Sequence, residues 1–322
     1  MSPTLWNIVL AAGAGRRLAS VTGGIPKQFW SADGGPSLLE DTLARSAVLA
    51  PPERTVIVVD RSHRRFVHAL PDVERVERVT YQPRDRGTAA GVLLGLSDVI
   101  AHAPDATVLI MPSDHGVTER VLFVDSIRAA AAEVDAGRAG VVLFGVAPSR
   151  PERDYGWITP VGRSTGTGLR PVSAFVEKPD AVTAVGLLEA GAVWNTMILV
   201  ARAQTLLELY RQQLPELTKV FTASRRLDEP ARHAFLQAHY DVLPQADFSR
   251  DLIGRAGDLF VHTWPVELGW SDLGTPDRLA RWCASRAGAD VTEQDRTRAS
   301  ALIPQELQLA LWLLAFGFRL VG

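Results

Sequence analysis

The stretch LWNIVLAAGAGRRL, residues 5–18, decides how the rest of the sequence is interpreted. Its first part, Leu5 to Ala11, is an apolar run, and a turn containing two glycines follows directly. An apolar run of this length is typical of a parallel strand that is buried on both faces. The stretch therefore predicts a strand whose carboxyl end opens into a turn where backbone N–H groups can approach a ligand.

The same strand pattern recurs along the chain and alternates with helical patterns. Further strands are predicted at Thr55–Val59, Val76–Tyr81, Ala106–Met111, Gly140–Val146 and Leu259–Trp264. Helices are predicted at Ser37–Leu49, Ala89–His102 and Glu119–Asp135, and in several segments from Ala203 to His239. Shorter strand-like runs between Tyr155 and Val200 predict a subregion added to the same sheet. This alternation predicts an α/β fold, a mostly parallel twisted sheet with helices on both faces, Rossmann-like, which binds ligands beyond the carboxyl ends of its strands.

Composition and charge exclude several classes of protein. Of 322 residues, 47% are apolar and 22% are charged, as in globular proteins that bury a sizeable core. The net charge of −2 offers no basic surface for a nucleic-acid backbone, so no nucleic-acid partner is expected. The single cysteine, Cys283, cannot form an internal disulfide, which fits a reducing compartment. Because Met1–Thr4 lacks the pattern of a secretory signal, we expect a cytoplasmic protein.

The chain is predicted to divide into residues 1–282, the main domain, and residues 283–322, a linker and an apolar C-terminal helix. Ser285 to Ser300 is charged and rich in alanine, as expected of a linker. Leu307 to Phe318 is strongly apolar but shorter than the roughly 20 residues that a membrane-spanning helix needs. We therefore expect no stable membrane insertion. Packing on the core, or on a second subunit in a homodimer, is favoured over a role at a membrane surface.

The turn Gly13–Gly15 lies where backbone N–H groups can approach phosphate oxygens without an intervening side chain. A dinucleotide-binding fingerprint would need a third glycine where Leu18 stands, and a P-loop would need Gly-Lys-Ser/Thr at the end of the turn. Neither pattern is present. Arg17 and Lys27 follow instead, and they supply the positive charge that a triphosphate requires.

Two acidic residues stand where a divalent cation would be held. Asp114 comes just past an apolar strand, and Asp272 lies in the turn Gly-Trp-Ser-Asp-Leu-Gly. Mg²⁺ is typically held by one or two carboxylates together with phosphate oxygens and water. From the residues alone, a helix-cap or turn role for Asp114 stays open. His115 is interpreted as a turn residue with a satisfied imidazole, because no further zinc-ligand spacing is visible.

The sequence also resembles a known family. Residues 10–18, LAAGAGRRL, resemble the signature turn of the sugar-phosphate nucleotidyltransferases, and Pro26-Lys27-Gln28-Phe29 resembles the mannose-1-phosphate guanylyltransferase branch. Further similar motifs follow in the same order, at residues 82–83, 86–89, 112–115, 155–158, 175–179, 194–195, 249–251 and 269–274. The resemblance covers about residues 5 to 280.

The resemblance implies the nucleotide-diphospho-sugar transferase fold, a Mg²⁺ cofactor, and transfer of a nucleoside monophosphate from GTP to mannose 1-phosphate with release of pyrophosphate. Arg17 and Lys27 would hold the β- and γ-phosphates, and Asp114 and Asp272 would bind Mg²⁺. The implied nucleotide-binding residues are Gly13, Ala14, Gly15, Gln82, Gly87 and Thr88. The sugar hydroxyls would be bound by Gly156, Glu177 and Asn195, and the sugar's phosphate by Lys178.

Some departures from the branch keep the substrates open. The chain reads Trp194-Asn195-Thr196-Met197 where the branch usually has Trp-Asn-Ser-Gly, and Gly87 replaces a common asparagine. Another hexose 1-phosphate, or dTTP, UTP or CTP in place of GTP, is therefore an alternative, as is a catalytically silent nucleotide-sugar sensor. Catalysis is favoured over the sensor because both predicted metal carboxylates are retained.

Overall fold

The computed structural model describes residues 4–286 except 32–33, 71–72, 74–75 and 225–226. In this part of the chain nine strands form one sheet in the order β3-β2-β1-β4-β8-β5-β9-β7-β6. The strands are β1 Leu5–Ala11, β2 Thr55–Asp60, β3 Arg78–Gln82, β4 Thr107–Pro112, β5 Val141–Val146, β6 Gly156–Pro160, β7 Leu169–Glu177, β8 Val193–Arg202 and β9 Leu259–Trp264.

Most of the described strands run in one direction, as the alternating pattern predicts, although only four of the nine strand pairings are parallel. Strands β1, β2, β3 and β4 pair in parallel, and β5 pairs in parallel with β9. Strand β8 runs antiparallel to both β4 and β5, and β7 runs antiparallel to β6 and β9. Of the nine described strands, β7 and β8 therefore oppose the direction of the other seven. The carboxyl ends of β1, β3 and β4 lie at one edge, where the predicted phosphate and metal residues follow.

Helices cover both faces of the sheet. They are α1 Leu38–Ser46, α2 Arg64–Val67, α3 Thr88–His102, α4 Arg120–Asp135, α5 Ala181–Glu189, α6 Ala203–Gln213, α7 Pro215–Ser224, α8 Glu229–His239 and α9 Pro276–Arg286. Local sequence fixes several helix starts. Ser37 and Glu40 form a reciprocal capping box at α1, and the Asp180 side chain accepts a hydrogen bond from the Thr183 N–H at the start of α5.

The hydrophobic core is divided by the sheet into two clusters. Alternate residues of β1 point to opposite faces: Ile8 belongs to the cluster under α3 and α6, while Val9 belongs to the cluster under α1 and α4. This alternation is what a strand buried on both faces requires. It leaves the loops at the strand ends as the part of the molecule open to a ligand.

The predicted elements are confirmed with small shifts at their ends. Strands β1 and β9 have the predicted bounds, whereas β3 begins at Arg78, two residues later than predicted. Within the described residues, no helix is both long and apolar enough to span a membrane. Helix α9 runs past the proposed domain boundary to Arg286. The rest of the predicted linker and the apolar segment Leu307–Phe318 lie outside the described residues.

Candidate active site

The glycine turn after β1 is tied to the short helix that carries Lys27. The Gln28 side chain donates hydrogen bonds to the carbonyls of Ala11 at 2.8 Å and Gly13 at 2.9 Å. Gly15 has a positive φ of 61°, and a Cβ there would lie 2.9 Å from the backbone nitrogen of Lys27. Only glycine fits this close approach without a shift. The turn and Lys27 therefore form one rigid unit at the end of the central strand.

Lys27 joins the two loops that carry the predicted metal ligands. Its side chain is 7% exposed, and its ammonium donates to the main-chain carbonyls of Asp272 at 2.5 Å and Leu273 at 3.0 Å. The same ammonium lies 3.2 Å from Asp114 Oδ2. Gly116, two residues after Asp114, and Ser271, directly before Asp272, exchange backbone hydrogen bonds of 2.8 and 3.1 Å. The structure therefore brings Asp114 and the Asp272 turn to the same place, as the sequence predicts.

Asp114 is the more accessible of the two carboxylates, with 31% of its side chain exposed. Burial alone would raise its pKa, but the charge of Lys27, helped by His115, outweighs burial and holds the pKa below its usual range. Burial lowers the pKa of His115 to about 4, so its imidazole is neutral at pH 7. His115 Nδ1 is buried and has no hydrogen-bond partner among the described residues, so the expectation of a satisfied imidazole was wrong.

The Asp272 carboxylate is held by its surroundings. Its Oδ1 accepts hydrogen bonds from the Tyr155 hydroxyl at 2.8 Å and the Gly274 N–H at 3.2 Å. Arg278 lies 3.2 Å from Oδ1 and 3.0 Å from Oδ2, and it also pairs with Glu152 at 2.5 Å. Because the Arg278 side chain is 6% exposed, these bonds are shielded from solvent. They hold the Asp272 carboxylate against Tyr155 and Arg278.

Gly156, Glu177 and Asn195 lie next to one another, and Tyr155, which precedes Gly156 in the chain, connects them to Asp272; we call this region the cleft. A Cβ on Gly156 would lie 2.6 Å from Glu177 Oε2 and 3.3 Å from Asn195 Cβ. The Glu177 side chain is 10% exposed, and its Oε2 has no hydrogen-bond partner among the described residues. A buried carboxylate oxygen without a protein partner is free to accept a hydrogen bond from a ligand or from water. The three residues predicted to bind a sugar are therefore neighbours.

Lys178 links this part of the cleft to Tyr155. Its backbone N–H donates to the Tyr155 carbonyl at 3.1 Å, and its ammonium pairs with Glu177 Oε1. The Lys178 side chain is 59% exposed and can swing towards an incoming anion. Since the Tyr155 hydroxyl also binds Asp272, one residue connects the predicted sugar side to the predicted metal side.

The predicted base-binding residues surround the start of α3. Gln82 ends β3 and is 3% exposed. Gly87 has a φ of 83°, and a Cβ there would lie 2.2 Å from the Ala246 carbonyl oxygen. Its N–H already donates to Asp85 Oδ1 at 2.8 Å, and the Thr88 hydroxyl accepts a hydrogen bond from the Phe248 N–H at 2.8 Å. Gly87 and Thr88 thus have clear roles in the fold, and their contact with a base stays a prediction.

The remaining predicted site residues are exposed, in the turn after β1 and the short helix that follows it. Arg17 is exposed in the short helix Arg16–Leu18, and Gly13 and Ala14 are exposed in the turn before it. Among the described residues there is no cluster of three or more His, Cys, Asp or Glu side chains placed to hold a metal ion. A metal site here would therefore depend on two carboxylates plus ligand oxygens, which is how Mg²⁺ is commonly bound.

The model of the family described as Nucleotidyl transferase matches residues 6–287. The chain belongs to this nucleotidyltransferase family. It is 30% identical over 304 residues to the xanthan biosynthesis protein XanB of Xanthomonas campestris, covering 89% of this chain and 59% of XanB. It is 28% identical over 304 residues to the mannose-1-phosphate guanylyltransferase RfbM of Salmonella typhimurium, covering 90% of this chain and 59% of RfbM. The chain thus spans about three fifths of the length of these relatives.

Solved structures show the same fold for this nucleotidyltransferase. A Thermus thermophilus protein described as a mannose-1-phosphate geranyltransferase is 27% identical, with a TM-score of 0.77 over 87% of this chain and 79% of that protein. A Helicobacter pylori protein described as a mannose-6-phosphate isomerase is 21% identical, with a TM-score of 0.63 over 83% of this chain and 99% of that protein. The second likeness concerns the fold alone.

Sequence reasoning missed three residues of this nucleotidyltransferase site: Glu152, Arg278 and the Tyr155 hydroxyl. Tyr155 stood inside a recognised motif but was given no role. Arg278 follows Asp272 by six residues, at the first turn of α9, and its guanidinium lies over the Tyr155 ring at 4.6 Å. Glu152 is 126 residues away from Arg278 in the chain, so no local pattern could have paired them.

Proposed function

We propose that the chain transfers a nucleoside monophosphate from a nucleoside triphosphate to a sugar 1-phosphate and releases pyrophosphate, with GTP and mannose 1-phosphate as the favoured substrates. The observation that carries the proposal is the Lys27 ammonium, which is shared by Asp114 and the carbonyls of the Asp272 turn. This arrangement places a buried cation beside two acidic residues, at the end of the strand that leads into the glycine turn. The relatives named for mannose 1-phosphate support the choice of sugar.

The two carboxylates fit Mg²⁺. Asp114 is partly exposed, and its lowered pKa keeps it ionised. Within the described residues, Asp272 Oδ2 accepts a single hydrogen bond, which comes from Arg278. Asp114 and Asp272 would hold the ion, which would neutralise phosphate charge and align the α-phosphate for attack. Because the described part of the chain has no group of three or more His, Cys, Asp or Glu side chains placed to hold a metal ion, phosphate oxygens and water would complete the coordination.

Lys27 and Arg17 would hold the β- and γ-phosphates in this proposal. All three N–H donors of the Lys27 ammonium already face oxygens of the protein. Binding of the triphosphate therefore requires Lys27 to exchange its contact with Asp114 for a phosphate oxygen. The exchange leaves no charge unpaired. Lys27 would pair with a phosphate oxygen, and the Asp114 carboxylate that it leaves would bind Mg²⁺.

The sugar phosphate would lie across Gly156, Glu177 and Asn195. Glu177 Oε2 would accept a hydrogen bond from a sugar hydroxyl, and Lys178 would pair with the sugar's phosphate. No general base is needed, because a phosphate oxygen is already anionic at pH 7 and attacks the α-phosphorus directly. The single cysteine fits a reducing compartment, so we include the cytoplasm in the proposal.

The test is pyrophosphate release from mannose 1-phosphate with each of the four nucleoside triphosphates and Mg²⁺. GTP is expected to give GDP-mannose. Asp114→Asn and Asp272→Asn should each reduce kcat by at least about 100-fold in a protein that remains folded. Asp105→Asn is the matched control, because Asp105 is exposed at the opposite end of β4.

Each alternative has its own outcome. Turnover of CTP with a methylerythritol phosphate alone would contradict the sugar-side assignment. Binding of a nucleotide sugar without turnover of any pair would favour the silent sensor. Activity like that of the unmodified protein in both aspartate variants would contradict the metal assignment.

A further inference from the structure

Tyr155 directly precedes Gly156 and is bonded to both the predicted sugar side and the predicted metal side of the cleft. Its backbone carbonyl accepts a hydrogen bond of 3.1 Å from the Lys178 N–H, and its hydroxyl donates one of 2.8 Å to Asp272 Oδ1. Tyr155 is 9% exposed, so it is enclosed by protein between these two contacts. Each end of this buried residue is therefore tied to a residue that is predicted to bind a ligand.

The Tyr155 ring also belongs to a row of packed rings. It meets the Trp194 ring edge to face, with 5.1 Å between centroids, and the Trp270 ring in the same way at 5.7 Å. Trp270 in turn meets the His115 imidazole at 5.4 Å. The two ends of this row are the chain neighbours of two predicted site residues, Asn195 and Asp114. Because close-packed rings cannot move independently, a shift of Tyr155 must be accommodated on both sides of the cleft.

Arg278 holds the Tyr155 ring and the Asp272 carboxylate together. Its guanidinium carbon lies 4.6 Å from the centroid of the Tyr155 ring, within the range of a cation–π contact. The same guanidinium lies 3.0 Å from Asp272 Oδ2 and pairs with Glu152. A ligand that draws on the Asp272 carboxylate therefore changes two contacts of Tyr155, the one to its hydroxyl and the one to its ring.

On the sugar side, Tyr155 restrains the backbone of Lys178. Lys178 has a φ of 49°, in the left-handed region that a lysine rarely adopts. Gly156 opposes Glu177 in the register of β6 and β7, so the bond from the Lys178 N–H to the Tyr155 carbonyl extends this pairing by one residue. The exposed Lys178 ammonium thus starts from a backbone whose position depends on Tyr155.

We propose that Tyr155 is a positioning residue that couples the two substrates, so that binding of the cation and nucleotide at the metal side strengthens binding of the sugar phosphate; this rests on the function proposed above. Each ligand would order a group to which Tyr155 is bonded, Asp272 in one case and Lys178 in the other. Once the first ligand has fixed Tyr155, the second ligand binds with a smaller loss of conformational entropy. The effect must be equal in both directions.

The experiment measures the dissociation constant of mannose 1-phosphate by titration calorimetry, without nucleotide and with Mg²⁺ and α,β-methylene-GTP, an analogue that cannot release pyrophosphate. The coupling factor is the first constant divided by the second. It should be at least about fivefold in the unmodified protein. Tyr155→Phe removes the hydroxyl but keeps the ring and the backbone carbonyl, so it should lower the coupling factor at least about threefold. The constant without nucleotide should change by less than about twofold, because the sugar side keeps its contacts.

Tyr210→Phe is the matched control. The Tyr210 hydroxyl also makes a buried hydrogen bond, of 2.7 Å to the Ala89 carbonyl, but Tyr210 lies in α6 and its bond goes to the main chain. This variant should keep the coupling factor of the unmodified protein. An unchanged factor in folded Tyr155→Phe would overturn the proposal. So would an equal weakening of sugar-phosphate binding with and without nucleotide, which is what a purely structural role predicts.

A second measurement needs no variant, so the proposal can be refuted even if Tyr155→Phe fails to fold. Mannose 1-phosphate must strengthen binding of Mg²⁺ with α,β-methylene-GTP by the same factor. A factor near one in the unmodified protein would overturn the coupling. Absence of binding of mannose 1-phosphate or of the nucleotide analogue to the unmodified protein would instead contradict the proposed function, and this inference with it.

Discussion

Gly156→Ala is the substitution that tests the sugar compartment most directly. The added Cβ would lie 2.6 Å from Glu177 Oε2, 3.0 Å from Phe175 Cζ and 3.3 Å from Asn195 Cβ. Gly156 stands in the extended conformation of β6, opposite Glu177 in the register with β7, so alanine is compatible with the backbone. The change therefore acts through space in the compartment and not through backbone strain.

The expected losses of stability and activity follow from the atoms that must move to make room for the new Cβ. Ordinary contact begins near 3.4 Å, so the Glu177 carboxylate must retreat by about 0.8 Å. It is the far end of a flexible side chain, so we expect a loss of stability below about 1 kcal/mol. The displaced oxygen is the one without a partner, and a misplacement of about 1 Å can reduce a rate by about 100-fold. We expect kcat/KM for the sugar phosphate to fall about 10- to 100-fold.

The assay is steady-state pyrophosphate release with either substrate varied, together with thermal unfolding of both proteins. The loss should appear with the sugar phosphate varied, while the KM for the nucleotide stays the same. Gly166→Ala is the control, because a Cβ there meets nothing within 4 Å. If Gly156→Ala kept the kcat/KM of the unmodified protein, Glu177 and Gly156 would not border the sugar.

Three further substitutions test the rest of the site. Lys27→Arg should not restore the activity lost in Lys27→Gln, measured as kcat, because a planar guanidinium does not fit three convergent oxygens as an ammonium does. Glu152 has a pKa held at about 2: burial raises it, but hydrogen bonds from two arginines and a backbone N–H lower it further. The stability that ionised Glu152 contributes is present above about pH 4.5 and is lost as the pH falls towards 2. Between pH 7 and 3, the free energy of unfolding measured by chemical denaturation should therefore fall by roughly 2 kcal/mol less in Glu152→Gln than in the unmodified protein. Gly87→Ala should lower the free energy of unfolding by at least about 2 kcal/mol more than Gly137→Ala, because both have positive φ but a Cβ meets another residue only at Gly87.

Sequence periodicity was sufficient to predict the strands and helices and the edge of the sheet at which the candidate site lies. An apolar run such as Leu5–Ala11 predicts a strand, and the glycine turn after it marks the carboxyl end. An apolar run carries no information on direction, however. The antiparallel insertion of β8 between β4 and β5 was therefore not predictable, although it is this strand that brings Asn195 to the cleft.

The candidate site residues were predictable where they belong to a recognisable motif. Their hydrogen-bond partners were not predictable. Asp272 stands in a recognisable turn, but its hydrogen bond comes from Tyr155, 117 residues away in the chain. Such contacts depend on how β6 and α9 pack, which no local pattern encodes. The same holds for Lys27, because two of its three acceptors are main-chain carbonyls, which any residue could supply.

Three of the four non-glycine residues with a left-handed backbone in the described part of the chain lie next to predicted site residues. Lys178, Met197 and Leu273 each hold a left-handed backbone at a free-energy cost of about 1–2 kcal/mol, in a fold whose total stability is typically about 5–15 kcal/mol. The fourth such residue, Asp258, is of a type that tolerates this conformation and lies away from the cleft. Each of the three strained residues directly follows, or orients, a side chain assigned to a substrate or to the metal: Glu177, Asn195 and Asp272 respectively. Their side chains differ in what they do there: Leu273 is fully buried in a small apolar cluster with Leu18 and Trp282, which gives packing energy against the strain, whereas Lys178 is exposed beside Glu177 and gains little from packing.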